Sequence, residues 1–353
     1  MTDRENQRVE PRKSEMTVAA YYEGDRRIRI GAAEPVEPGA GEVQLKVSHC
    51  GICGTDLHIF HGAMDARVKM PLVMGHEMSA SVHKLGAGVE DFALGDKVVV
   101  MPLAPCGSCP ACEAGHSHIC HHLNFLGIDT PGAFQSDWTV PAYTLHRVPA
   151  NLPLQHGALI EPLAVACHDA RLAGVKAGDQ VVVLGGGPIG ILVALVARHA
   201  GADVMVSEIN RYRVELAREL GLEAYNPSET NLIEMVMQRS KGTGADIVFE
   251  VSGSQAGADI MTELLRTRGL AVIVAIFAQK PQIDLFRFFW RELRLQGVRV
   301  YESQDFADAI ALAAADALPL DKLITDIRPL SALRSGFEDM EKGGRVMKIL
   351  LEI

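Results

Sequence analysis

Aromatic side chains are scarce, 5% of 353 residues with only two tryptophans, and basic residues are outnumbered, 34 Lys plus Arg against 44 Asp plus Glu. The resulting net charge of −10 leaves no basic block to neutralise phosphates, which excludes nucleic acid as a partner on electrostatic grounds. No apolar run spans a bilayer: the longest, Val181 to Ala197, is broken by Gly185, Gly186, Gly187, Pro188 and Gly190, so no membrane association is expected. Low-complexity tracts and solenoid-period repeats are lacking as well. Seven cysteines, an odd number, fit a disulfide framework poorly. The first fifteen residues, MTDRENQRVEPRKSE, lack the apolar core of a signal peptide and read as a solvated arm over 1–15, so a cytoplasmic location is expected. What is present, 48% hydrophobic and 22% charged residues over this length, describes a globular chain of about two domains.

From Thr17 to about Thr144 the chain shows short alternating apolar runs cut by turns, VQLKVSHC, SASVHKLG and DKVVVMPL, which predict a mostly β domain. From about Asp169 the texture becomes strand, glycine turn and helix in repetition, with a helix ending at Arg268 before the strand GLAVIVAIF. That alternation predicts a parallel sheet flanked by helices. The closing run VMKILLEI reads as a strand that needs a sheet and is expected to rejoin the first domain.

The sequence from Gly185 to Gly190, GGGPIG, follows VVVL and opens an apolar helix, the context a dinucleotide fingerprint requires. Gly185 permits the tight turn, Gly187 lets the backbone approach a pyrophosphate, and Gly190 allows helix and strand to pack closely, with Pro188 and Ile189 between them. About twenty residues on, Glu208 ends the next strand. A carboxylate there accepts ribose hydroxyls and repels a 2′-phosphate, favouring NAD over NADP, although Arg211 is of the type that accommodates NADP. Arg213 is placed over the adenine. A glycine-rich turn without ligand is the plainer alternative, weakened by strand, spacing and acid together.

Cys106, Cys109, Cys112 and Cys120 lie in one Pro- and Gly-rich loop, PCGSCPACEAGHSHIC. Four thiolates there suit one tetrahedral zinc, closed to water and structural. Unligated thiols, a disulfide pair or an iron–sulfur cluster are the alternatives. A tetrahedral site is then full, so His116, His118, His121 and His122 read as surface histidines. Cys53 in GICGTDLH, His76 and Glu77 in GHE, and Glu161 in IEPL are each, taken singly, better read as core or turn residues than as ligands.

In this order, GICGTDLH, GHE, the four-cysteine loop, EPL and the glycine turn resemble the zinc-dependent medium-chain alcohol dehydrogenases, from about Met16 to Ile353. Carboxylates in GHE and EPL, where the ethanol-active branch has a cysteine, make the chain similar to the sorbitol, butanediol and threonine dehydrogenase branch. The resemblance implies an α/β fold, a Rossmann doubly wound parallel sheet (166–300) inserted into a mostly β GroES-like catalytic domain (16–165 and 301–353) with a zinc lobe at about 104–122. It implies one catalytic and one structural Zn²⁺ per chain. Cys53 and His76 match catalytic zinc ligands, and Glu77 and Glu161 match acidic positions that bind directly or through water. Thr55 matches the hydroxyl that starts the proton path, His58 its distal relay, and Cys106, Cys109, Cys112 and Cys120 the structural set. Cys50 falls outside the pattern and reads as a core thiol, while Cys167 and His168 read as packing residues.

The implied activity is hydride transfer between NAD and a secondary alcohol, most simply a sugar alcohol or vicinal diol, with Phe60, Phe125, Gly127 and residues near Phe277 as pocket positions that packing explains equally well. A threonine 3-dehydrogenase, a non-catalytic NAD- and zinc-binding regulator and a zinc-finger nucleic-acid binder are competing readings. The loop from Cys106 to Cys120 carries no Lys or Arg, against the last. A homo-oligomer, dimer or tetramer, is expected, with contact through VIVAIFAQK at a sheet edge.

Overall fold

A computed structural model describes residues 17–353; the arm expected at 1–15 lies outside the described residues. Two sheets organise the molecule. The first is antiparallel apart from its last pair and runs Leu145–Arg147, Lys97–Val100, Glu77–Leu85, Glu42–Gly51, Lys348–Glu352, Ile324–Pro329, with Asp137–Pro141 also paired to Glu42–Gly51. Its strands alternate or run apolar, as in KVVV, and bury Val98, Val99 and Val100. Strand Lys348–Glu352 pairs antiparallel with Glu42–Gly51, Leu351 opposite Cys50, so the chain does return to its first sheet. Cys50 lies in that core, fully buried.

The second sheet has six strands, all parallel, in the order Glu223–Tyr225, Asp203–Ser207, Gln180–Leu184, Ala245–Glu250, Leu265–Ile273, Arg294–Gly297. This is the doubly wound Rossmann order, whose switch point lies between Gln180–Leu184 and Ala245–Glu250. Helix Ile160–Ala173 precedes this sheet and packs against Pro188–His199 and Ser303–Ala314. Among the described residues no helix is long and apolar enough to cross a membrane.

Two expectations are corrected. The helix expected to end at Arg268 stops at Leu264, and the strand begins at Leu265. Leu264 and Leu265 are both fully buried, Leu265 pairs with Ala245, and Arg266 reaches Asp246, so ladder pairing overrides the helical character of LRTR. The segment VIVAIFAQK does not lie at a sheet edge, because Leu265–Ile273 is covered on its far side by Arg294–Gly297, which is the edge.

Candidate active site

Between the paired segments Leu103–Ala104 and Asn124–Phe125 the chain folds into a lobe, where helix Pro110–Glu113 and the turn Ser117–Ile119 draw four cysteines together. The sulfurs of Cys106, Cys109, Cys112 and Cys120 all lie within 4.8 Å of one another. Individual separations are 3.5 Å for Cys106 and Cys120, 3.6 Å for Cys109 and Cys112, and 3.8 Å for Cys109 and Cys120. Four sulfurs at about 2.3 Å from one zinc stand about 3.8 Å apart, so the set fits that ion. Backbone N–H groups of Cys106 and His122 donate to the Cys120 sulfur, and that of His121 to Cys109, at 3.3–3.4 Å. Donation from the N–H groups of Cys112 and His121 pulls the Cys109 thiol down to about 5. His116, His121 and His122 are exposed, but His118, expected at the surface, is only 9% exposed and turned inward. The lobe's short turn at Ser117–Ile119 folds it against the helix that carries His168, whose ring meets that of His118.

The other set is assembled from distant elements. Cys53 caps helix Gly54–Phe60: its sulfur accepts the Thr55 N–H at 3.4 Å, and the Asp56 carboxylate accepts the Cys53 N–H at 2.9 Å. Glu77 opens strand Glu77–Leu85 with His76 just before it, and donor atoms of Cys53, His76 and Glu77 lie within 4.8 Å of one another. Asp56 Oδ1 stands 3.7 Å from His76 Nδ1, both side chains buried, and the Phe125 ring meets the imidazole edge-on at 5.3 Å. Glu161, near the start of helix Ile160–Ala173, is buried and accepts a 2.7 Å hydrogen bond from the Tyr301 hydroxyl. Lys348, buried in the last strand, ion-pairs with Glu77.

Asp56, Tyr301 and Lys348 were not singled out in the sequence. Asp56 had a local signal, an acid three residues after a cysteine cap; Lys348 had one too, a lysine amid an apolar strand. Tyr301 had none.

Burial shapes the charges here. It pushes Glu161 up to about 7, where the attraction of His76 is opposed by the charge of Glu77. Burial alone would lower His76, but Asp56 and Cys53 raise it to about 10, and Glu77 likewise holds Lys348 charged against its burial. Soft sulfur, imidazole and carboxylate on one side of an open cleft make a donor set suited to a catalytic zinc.

The same cleft, about 430 Å³, is lined by Cys53, Thr55, His58 and Glu77 on one wall and by Gly187 and Pro188 on the other. Gly185 has φ +104°, and a Cβ on Gly190 would sit 1.9 Å from the Gly185 carbonyl oxygen, so both positions demand glycine. Helix Pro188–His199 begins there with Ile189 and Gly190 in its first turn, and its N-terminus faces the cleft. Glu208 accepts the N–H groups of Gly186 at 2.8 Å and Asn210 at 2.7 Å. Arg211 ion-pairs with Glu229 at 2.7 Å. Arg213 lies beside Gly187 and donates to the Val346 carbonyl at 3.2 Å. Phe60 is not in the cleft; it is buried and stacked on Phe337 at 4.6 Å. Gly127 packs on the Gly75 backbone, and Phe277 is half-buried.

Family models described as the alcohol dehydrogenase GroES-like domain and the zinc-binding dehydrogenase match residues 39–150 and 188–315. The chain is 52% identical over 334 residues to a 2-dehydro-3-deoxy-L-galactonate 5-dehydrogenase of Pseudoalteromonas atlantica, covering 95% of this chain and 98% of that one. Among solved structures, 2R,3R-butanediol dehydrogenase from Bacillus subtilis superposes with a TM-score of 0.87 at 31% identity, covering 96% and 99% of the two chains. A zinc-binding dehydrogenase from Sinorhizobium meliloti 1021 bound to NADP gives 0.91 at 32% identity, covering 96% and 100%.

Proposed function

We propose, for a chain that belongs to the zinc-dependent medium-chain alcohol dehydrogenases and is an oxidoreductase of secondary alcohols, that its substrate is a polyhydroxy acid. In this reading the C5 hydroxyl of a 2-dehydro-3-deoxy-aldonate such as 2-dehydro-3-deoxy-L-galactonate is oxidised to a ketone. The observation that carries the catalytic reading is the meeting, in one cleft, of Cys53 and Glu77 with the glycine turn at Gly187. Identity of 52% across nearly the whole chain supports this substrate over a plain diol.

Cys53, His76 and Glu77 would hold the catalytic zinc and Cys106, Cys109, Cys112 and Cys120 the structural one. Bound there, zinc supplies Lewis acidity to the substrate hydroxyl, and the nicotinamide supplies the hydride acceptor. Asp56 orients the His76 ring from behind, and Phe125 packs its edge. In this reading the Thr55 hydroxyl takes the proton released by the substrate, which leaves toward solvent through the ribose and His58, exposed at the cleft, or through water and Glu161. Glu161, raised to about 7, exchanges a proton near neutrality while Tyr301 holds its orientation. Gly185, Gly187, Pro188, Ile189 and Gly190 would cradle the pyrophosphate, with Arg213, beside Gly187, the residue expected over the adenine. NAD is the nucleotide in this reading: Glu208, which accepts the Gly186 N–H in the glycine turn, is the carboxylate expected to meet the ribose hydroxyls, and Arg211 is paired with Glu229 at the surface.

Residues 16–165 and 301–353 form the catalytic domain and 166–300 the nucleotide domain. A reducing compartment keeps the lobe thiols free for metal, which supports the cytoplasm. Helix Leu285–Arg291 exposes Leu285, Phe286, Phe289 and Trp290 at 69%, 64%, 77% and 72%, beside the open edge strand Arg294–Gly297. A second copy covers this face, giving a dimer from which a tetramer can be built. Light scattering of Trp290→Ser should show a shift toward monomer; an unchanged mass would remove this contact. The function itself is tested by NADH and NADPH formation against 2-dehydro-3-deoxy-aldonates, sorbitol, 2,3-butanediol and threonine. Reduction of NAD confined to the keto-deoxy acid is expected, and turnover confined to sorbitol or butanediol would overturn the substrate assignment.

A further inference from the structure

Away from the cleft, the inner face of the cysteine lobe meets helices Ile160–Ala173 and Ser303–Ala314 at a cluster of buried polar groups. His168 is 1% exposed, and its Nδ1 is hydrogen-bonded to Asp305 Oδ2 at 2.7 Å, which turns its Nε2 away from that carboxylate. Neither His168 Nε2 nor His118 Nδ1, both buried, has a hydrogen-bond partner among the described residues. A carboxylate fixing one ring nitrogen while the other stays unsatisfied is the arrangement that prepares a histidine for a metal.

The two rings are 5.2 Å apart at 67°, and His118 Nδ1 is 3.7 Å from Glu302 Oε1, too far for a hydrogen bond. Two imidazoles bound at about 2.0 Å to one tetrahedral zinc place their ring centres about 5 Å apart, and adjacent donor atoms about 3.3 Å apart. Arg171 donates to Asp305 and to Glu302 Oε2, and its Nη2 stands 3.3 Å from His168 Nδ1, the ring nitrogen turned to Asp305. Asp305 and Glu302 together carry two negative charges against one on Arg171, leaving one for a cation. A cleft of about 330 Å³ is lined by His118, Tyr301 and Glu302 and reaches two of these side chains, His118 and Glu302.

We propose that His118, His168 and Glu302 form a third metal site, selective for zinc or a similar borderline divalent transition ion, with water completing the shell. It would pin the cysteine lobe to the segment that begins at Glu302, next to Tyr301. The site stands apart from the substrate assignment and from the two zinc sites above.

The test is metal content of the full-length enzyme equilibrated with Zn²⁺ and then freed of unbound ion, compared with His118→Asn, His168→Gln and Glu302→Gln. Wild type should hold one equivalent more than each variant. Because the site contains no cysteine, the extra equivalent read with Co²⁺ should add ligand-field absorption without thiolate charge transfer. His118→Asn and Glu302→Gln carry the test alone if His168→Gln fails to fold. Equal metal content in wild type and variants, or an extra Co²⁺ that brings thiolate charge transfer, would overturn the proposal.

Discussion

The two cysteine-containing sites solve the same problem in opposite ways. In the lobe, all four donors fall between Cys106 and Cys120, and the charge of their thiolates is spread over backbone N–H groups of the same loop. At the cleft, Cys53 comes from a helix cap, His76 and Glu77 from a strand start and Glu161 from the helix that precedes the nucleotide sheet, while Lys348 offsets charge from the last strand. A short loop closes at little entropic cost, so the lobe is a local object. The cleft set exists only where the first sheet is complete and the two halves meet. Its groups are also buried: burial raises Glu161, while Asp56 and Cys53 raise His76 against its own burial, whereas the lobe relies on hydrogen bonds.

That contrast can be broken from either side. Cys53→Ser should lower kcat/KM by about a thousandfold or more and remove one zinc per chain, leaving the melting temperature within a few degrees; metal analysis with calorimetry checks both. Cys109→Ser should do the reverse in kind: the other zinc is lost and the melting temperature falls by about 10 °C, through a penalty of several kcal/mol, while NAD binding by fluorescence is retained. If Cys109→Ser abolished nucleotide binding, the lobe could not be the local object described. Tyr301→Phe is the gentlest, with a kcat loss of about tenfold. The Tyr301 hydrogen bond lowers the Glu161 pKa against burial, so its removal moves Glu161 further up from about 7, and the corresponding limb of the pH–rate profile should shift to higher pH. An unmoved profile would separate Glu161 from the titrating group.

The same contrast explains what could be read from the residues alone. The cysteine spacing, the glycine turn and the alternation of strand and helix are local patterns, and each appears in the structure, with only the helix end at Arg268 misplaced within the alternation. The cleft residues came only through resemblance, because nothing local joins Cys53 to His76 or Glu161. Tyr301 was invisible for the same reason: its partner lies 140 residues away in sequence. His118 was misread as a surface group because the four-cysteine loop looked complete by itself, whereas tertiary packing on His168 buries its inner face. The helix end at Arg268 failed because a sheet neighbour, Ala245, decided the conformation of Leu265.

Strand Lys348–Glu352 has a consequence for how the molecule comes into being. Its partner Glu42–Gly51 is synthesised about 300 residues earlier, a delay on the order of tens of seconds on a ribosome. Through that interval Glu77 has no Lys348 beside it and the first sheet lacks its fifth strand, while the nucleotide sheet closes as soon as Arg294–Gly297 emerges. A chain with the nucleotide sheet in place but Lys348–Glu352 still unpaired would therefore leave Glu77 without its buried counter-charge beside the cleft.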